Sequence, residues 1–416
     1  MPHNNPFIHG NPVAPEQLLG RKNELYTIAG RISTGQSTAV TGSPRSGKTS
    51  ILKYLETETL LYDPENPEKP ITLYDEDIKE KLIFSYLDAY SWGTKFKPID
   101  FWNNALKRIQ DKIKTHEELY KTYQNCQKNH FDNFLIEKLI DQIRNVDKRL
   151  VLIIDGFEEL LNHSSEDWNA QFFGSLRTLA SRSSGALVLV IAANKSLSHL
   201  QKEVQEFTKT NSPYFNFIYE VRLGALPEIS IDILLKPGNF TLDDADFLKD
   251  IAGGHPYLLQ VAASILWSSD EKEDNLLKRQ QKVVEAFYMA VHDDLSEIWQ
   301  SWPSTLQQAF SSVTLAQLSN FKNILKKQGI DVDSISRYIP PLKLNLEILK
   351  YYGFVTEDEN IAGGWRVVPR IFLPFVLLNL KPKYRDKLPK TVWDCLFKAK
   401  ETPDKNSKSR WFRFFS

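Results

Sequence analysis

Over the first 230 residues, short apolar runs alternate with stretches in which apolar positions recur every three or four residues. STAVTG (37–42), KLIFSYLDAY (81–90), RLVLIID (149–155), ALVLVIAANKS (186–196) and FNFIYEVRL (215–223) are the strand candidates. RLVLIID and ALVLVIAA are apolar almost without interruption, as in strands covered on both faces. Strands alternating with helical segments predict an α/β fold, a doubly wound parallel sheet with its site at the strands' carboxyl ends. Beyond residue 228 the pattern turns helical: Ile231, Leu234 and Leu235, then Phe247, Leu248 and Ile251. From about 300, PSTLQQAFSSV, FKNILKKQG and LNLEILKYYGFVTEDENIAGGWRVV read as helices followed by a hairpin with a Gly-Gly turn, the order of a winged helix. The expected organisation is an N-terminal extension (1–16), an α/β core (17–228), a helical lid (229–295), a winged-helix domain (296–380) and a tail (381–416). No internal repeat is visible.

The turn after the first strand carries the clearest chemistry. Gly42-Ser43-Pro44-Arg45-Ser46-Gly47-Lys48-Thr49 fits G-x-x-x-x-G-K-[ST] between a strand and a helix, the P-loop NTPase arrangement. Backbone N–H groups from Gly42 to Ser50, Pro44 excepted because it has none, can curl around a phosphate, and the helix N-terminus adds its positive dipole end. Lys48 would neutralise the β- and γ-phosphates of ATP, and Thr49 would ligate Mg²⁺. Asp155, closing an apolar strand, is the second candidate for the metal shell. Asn194 and Lys195, at the end of another strand, are candidates for reaching the γ-phosphate or the attacking water.

Gly156 stands where many nucleotide-driven motors carry a catalytic glutamate, and acids resume at Glu158 and Glu159. DGFEEL (155–160) resembles the NACHT-like form of the second nucleotide motif, and LLGRKNEL (18–25) resembles the box that precedes the phosphate loop in STAND-class P-loop ATPases, relatives of AAA+ proteins. AGGHPYLLQVAASILW (252–267) resembles the GxP motif of STAND lids, and SPYFNFIYEVRLGALPE (212–228) the last-strand segment of prokaryotic members. Together the matches cover roughly residues 15 to 270. The resemblance implies that Gly20 and Arg21 line the adenine pocket, that Pro256 packs on the base, and that Glu158 positions water. Reach alone sets a condition: Glu158 approaches the γ-phosphate only if the turn after the strand folds back. His255 is read as structural rather than as a base.

The resemblance also implies an ADP-closed, ATP-open switch with low turnover that forms a homo-oligomer on activation, acting in signalling or in defence against invading elements. The N-terminal effector and C-terminal repeat sensor common in that class have no counterpart in the sequence, so a separate effector or sensor protein is expected. Arg177 and Arg182 are candidates for an arginine finger acting in trans. The alternative is a DNA-handling AAA+ ATPase of initiator or transposition-regulator type.

Charge bears on that choice. The chain has 52 basic and 52 acidic side chains, and acids outnumber bases over 291–380, with Glu357, Asp358 and Glu359 in the hairpin. A nucleic-acid reader needs the opposite sign there, so nucleic acid is not favoured as a partner. The tail carries seven excess positive charges among Trp411, Phe412, Phe414 and Phe415, suited to a protein, membrane-surface or nucleic-acid contact. Two cysteines, Cys126 and Cys395, no signal-peptide pattern and no apolar run of membrane-spanning length lead to the expectation of a cytoplasmic protein.

Overall fold

The computed structural model describes residues 5–55, 61–63, 66–93, 95–162, 168–269, 276–318, 342–361 and 363–380. The chain divides into two compact units: Val13–Ser43 with Gly47–Leu223, and Met1–Pro12 with Pro44–Ser46 and Gly224–Ser416.

The first unit is built on strands β1 (Thr38–Gly42), β4 (Leu82–Asp88), β5 (Arg149–Asp155), β6 (Leu187–Ala193) and β7 (Tyr219–Leu223). A short antiparallel pair, β2 (Leu61–Asp63) and β3 (Asn66–Ile71), stands apart from the main sheet. The five strands pair in the order β4-β5-β6-β1-β7, every neighbour parallel. The apolar continuity of β5 and β6 has its cause in this position. Leu150, Leu152 and Ile154 join Leu187, Leu189 and Ile191 in one core cluster, while Val151 and Ile153 join Val188 and Val190 in the other. Each side chain so buried contributes about 1.5–3 kcal/mol. One face is covered by helices 22–33 and 48–55, through Leu25, Ile28, Ile51 and Leu52. Five longer helices between 98 and 208 cover the other, with Phe101, Trp168 and Phe172 in an edge-to-face cluster.

All five expected strands of the α/β core are present, Arg149–Asp155 with the expected limits and the other four shorter. The run 81–90 yields strand only to Asp88, whose carboxylate accepts from the Tyr90 N–H at 3.1 Å and starts a 3₁₀ turn. The run 215–223 yields strand only from Tyr219, and Phe215 and Ile218 are buried ahead of it.

The second unit is helical. Segments 228–235, 242–252, 256–268, 276–301, 304–317 and 343–351 are followed by the antiparallel pair β8 (Val355–Glu357) and β9 (Trp365–Val367), then a helix over 372–380. Ile231, Leu234, Phe247, Leu248 and Ile251, picked out by helical spacing, are buried. Trp302, Phe310, Phe354 and Phe372 pack edge to face around the hairpin's base. Arg370, 3 % exposed, pairs with Asp250 at 2.6 Å, so the helix 242–252 and the hairpin region share one unit. FKNILKKQG (321–329) and the basic tail lie outside the described residues.

Candidate functional site: a phosphate loop and a carboxylate cluster

β1 runs directly into the loop, and the helix Lys48–Leu55 starts at its end. Gly47 has φ +96°, a backbone state that an L side chain rarely adopts. Arg45 holds φ +62° without being glycine. The Lys48 ammonium is buried and donates to the Gly42 and Ser43 carbonyls at 3.0 and 2.9 Å, so it lies along the loop's own arc. Ser43 and Ser46 are also buried. The Ser50 hydroxyl accepts from the Val13 N–H at 3.2 Å, which ties the incoming chain to the helix after the loop.

Pro44–Ser46, the tip of the loop, groups with the second unit. Within that unit the His255 Nε2–H donates to the Pro44 carbonyl at 3.1 Å; a carbonyl can only accept, so that nitrogen carries the proton. His255 also caps the helix that Pro256 opens, its side chain accepting from the Leu258 N–H. The Arg45 guanidinium lies over the Tyr257 ring at 5.1 Å and 3.3 Å from Asp294, whose carboxylate accepts from the Tyr257 hydroxyl at 2.8 Å.

Asp155 ends β5, 3 % exposed, and its Oδ2 accepts from the Tyr86 hydroxyl of β4 at 2.8 Å. That leaves Oδ1 for the water shell of a divalent cation. One carboxylate and the Thr49 hydroxyl form a donor set that Mg²⁺ takes alongside substrate phosphates and water, so these residues fit the ion. Gly20 sits in a left-handed turn at φ +65°; Arg21 is buried at the start of helix 22–33, its guanidinium 3.4 Å from Glu24.

After Asp155 the chain turns sharply. Gly156 is left-handed (φ 70°, ψ 43°), and a 3₁₀ turn follows over Phe157–Leu161. This folds Glu158 back toward the end of β6, where its Oε1 accepts from the Asn194 N–H at 2.9 Å. The turn after the strand therefore folds back. Because β6 lies between β1 and β5, Asn194 emerges between the strand of the phosphate loop and the strand of Asp155. Glu158 Oε2 is buried with no hydrogen-bond partner among the described residues. Burial pushes the Glu158 carboxyl above the usual range, against the opposing pull of backbone N–H groups and Lys48.

Sequence reasoning missed two residues of this cluster, Tyr86 and Tyr90. The Asn194 amide donates to the Tyr90 hydroxyl at 3.1 Å, and that hydroxyl lies 3.4 Å from Glu158 Oε1. Their signal was present, since both stand at the carboxyl end of a strand, where a parallel sheet gathers its site. Other candidates turn elsewhere. Lys195 pairs with Glu203 on the next helix, and Glu159 accepts from Asn162 at 2.9 Å. Arg177 is half-buried and Arg182 exposed, on the helix 170–182.

No known family's sequence profile matches the chain, and no curated protein matches it. Solved structures do resemble it. A Walker-type ATPase of Pyrococcus abyssi aligns over 86 % of this chain and 96 % of its own, with TM-score 0.48 and 13 % identity. The ORC2 protein of Aeropyrum pernix, in ADPNP–ADP complexes, aligns over 91 % and 98 % with TM-score 0.45 and 13 % identity. Domain III of the Thermotoga maritima replication initiation protein DnaA aligns over 67 % and 98 % with TM-score 0.36 and 13 % identity. Among the described residues no helix is long and apolar enough to cross a membrane.

Proposed function

We propose that the protein is an ATPase of the STAND molecular-switch type, which binds ATP with Mg²⁺, hydrolyses it slowly, and is closed with ADP and open with ATP. The observation that carries the reading is the gathering of Lys48, Asp155, Glu158 and Asn194 at one edge of a parallel sheet whose first strand enters the phosphate loop.

The roles follow from charge and reach. Backbone N–H groups of the loop bind the β-phosphate, and Lys48 swings from the loop carbonyls to the β- and γ-oxygens. Thr49 and Asp155 would hold Mg²⁺, which supplies charge neutralisation at the phosphates when bound. Glu158 takes a proton from the attacking water as the water oxygen bonds to the γ-phosphorus. The bond from that phosphorus to the bridging oxygen breaks, and ADP leaves with the electron pair. Asn194 orients the carboxylate through its backbone N–H.

The slow-switch reading is supported by Gly156, which puts no carboxylate directly after Asp155. On this reading the hairpin region acts as a winged-helix clamp rather than a DNA reader. In the hairpin region Arg366 lies 3.5 Å from Asp358 and Arg370 2.6 Å from Asp250, while Lys350 pairs with Glu357 at 2.6 Å. Those cations are engaged with the protein's own acids, whereas the DNA-handling alternative needs them on phosphate. Homo-oligomerisation with ATP and a separate effector or sensor protein complete the proposal.

Steady-state hydrolysis by the full chain, with and without duplex DNA, tests it. Basal kcat below about 1 s⁻¹, unmoved by DNA, is expected; DNA-stimulated turnover above that value contradicts the switch and supports the alternative. Lys48→Ala should cut hydrolysis by about 10²-fold or more, as loss of a preorganised charge at the transferring phosphoryl does.

A further inference from the structure

We propose that Tyr90 is a positioning residue for Glu158, holding its Oε1 edge against Asn194 so that Oε2 is presented to the attacking water. The inference rests on the assignment of Glu158 as the water-activating carboxylate.

Three observations within one unit carry it. The first is steric. A Cβ built on Gly156 would lie 2.4 Å from Tyr90 Cε2 and 2.7 Å from Cδ2, so the ring occupies the space over that glycine. Gly156 is left-handed as well, and the turn that brings Glu158 back to β6 is thereby held from two directions. The ring and the turn are matched parts.

The second is the hydrogen-bond chain. The Asn194 amide donates to the Tyr90 hydroxyl at 3.1 Å, which commits the phenol's own proton to the other side, where Glu158 Oε1 lies at 3.4 Å. The Asn194 N–H meets the same oxygen at 2.9 Å. One strand end thus reaches Oε1 twice, directly and through the phenol.

The third is the asymmetry of the carboxylate. With Oε1 engaged by two donors, Oε2 is buried and unpartnered among the described residues. Leaving a buried acceptor without a partner is costly, so its retention points to a use. Here it would take the water's proton in the balanced step given above. Tyr90 itself stays half-exposed and does not take part in proton transfer.

The test uses the full chain and four variants: Tyr90→Phe, Tyr90→Ala, Glu158→Gln and the double variant Tyr90→Phe/Glu158→Gln. Each is assayed for kcat and KM for ATP, and for affinity of a fluorescent ADP analogue, which reports an intact loop. Tyr90→Phe keeps the ring on Gly156 and should lower kcat by about five- to tenfold with KM and ADP affinity unchanged; Tyr90→Ala frees the turn and should cost about 10²-fold, as small misplacements of a reacting group do. The double variant should be no slower than Glu158→Gln alone. Wild-type kcat in Tyr90→Phe, or a double variant slower than Glu158→Gln by the full Tyr90→Phe factor, overturns the proposal. Wild-type kcat in Glu158→Gln instead removes the assignment of Glu158, on which the proposal rests. Should Tyr90→Ala lose ADP binding through misfolding, the phenylalanine variant and the double variant still decide.

Discussion

Gly156 is where a single residue says most about the chemistry. Its left-handed φ and the Tyr90 ring against it leave no room for a side chain. Installing the motor-type carboxylate there, as Gly156→Glu, should lower ATP turnover rather than raise it, because the ring must move and the turn that delivers Glu158 must open. Comparing its kcat with wild type checks this; a faster enzyme would contradict it. Glu158 also gives a pH prediction. Its carboxyl is pushed up by burial, with Lys48 and the Asn194 N–H pulling the other way and Glu159 adding a small upward push. Only the ionised form accepts a proton, so hydrolysis should rise with pH through a midpoint above the ordinary carboxylate range, about 4.3. The sign for folding is opposite. A raised acid binds its proton more tightly folded than unfolded, so this group's contribution is full below the unfolded pKa and is lost as pH climbs through the folded one. A pH–kcat profile whose acid limb disappears in Glu158→Gln is the expected result. At this scale the sequence was legible where a residue type has one use, as with Lys48 and Thr49 in the loop. For Tyr90 only its place, just past the end of a strand, was legible, since nothing in the string DAY shows a phenol reaching across to residues 156, 158 and 194.

At the scale of elements, the sheet was readable because buried parallel strands carry an apolar code on both faces, as β5 and β6 do. Strand limits were less readable because apolar content and strand geometry are different properties. Phe215 and Ile218 are buried without being strand, and Ala89 leaves the ladder once Asp88 caps the next turn. Arg149 is the element-scale feature that apolar periodicity hides. From the first position of β5 it donates to the Ile32 and Ser33 carbonyls at the end of helix 22–33, at 2.7 and 2.6 Å, and to Gly185 at 2.7 Å. It satisfies helix-end carbonyls and anchors the helix to the sheet's amino edge, away from the site. Arg149→Ala should destabilise the first unit by about 2–3 kcal/mol, the value of lost charge-assisted bonds to half-buried carbonyls. Urea unfolding followed by tryptophan fluorescence checks it, and a shift under about 0.5 kcal/mol, the size of an ordinary surface substitution, would show the contacts to be dispensable.

For the whole molecule, the change of periodicity near residue 228 was legible, and the chain divides into two compact units with a boundary at Gly224. The grouping of Pro44–Ser46 with the second unit was not foreseeable, because the loop motif specifies a phosphate cradle and is silent about what its tip touches. His255 on the Pro44 carbonyl and Arg45 on Tyr257 and Asp294 join the loop's tip to helices 256–268 and 276–301 within the second unit. In the proposed switch these contacts would have to differ between states, since a ligand shifts an equilibrium only through such differences. A slow switch of the proposed kind would rest with its product bound. The most direct measurement denatures the freshly purified full chain and identifies the nucleotide released. About one ADP per chain should be retained through purification, as expected when free ligand is removed but dissociation is slow. An empty site that exchanges ATP freely and turns it over without delay would contradict it.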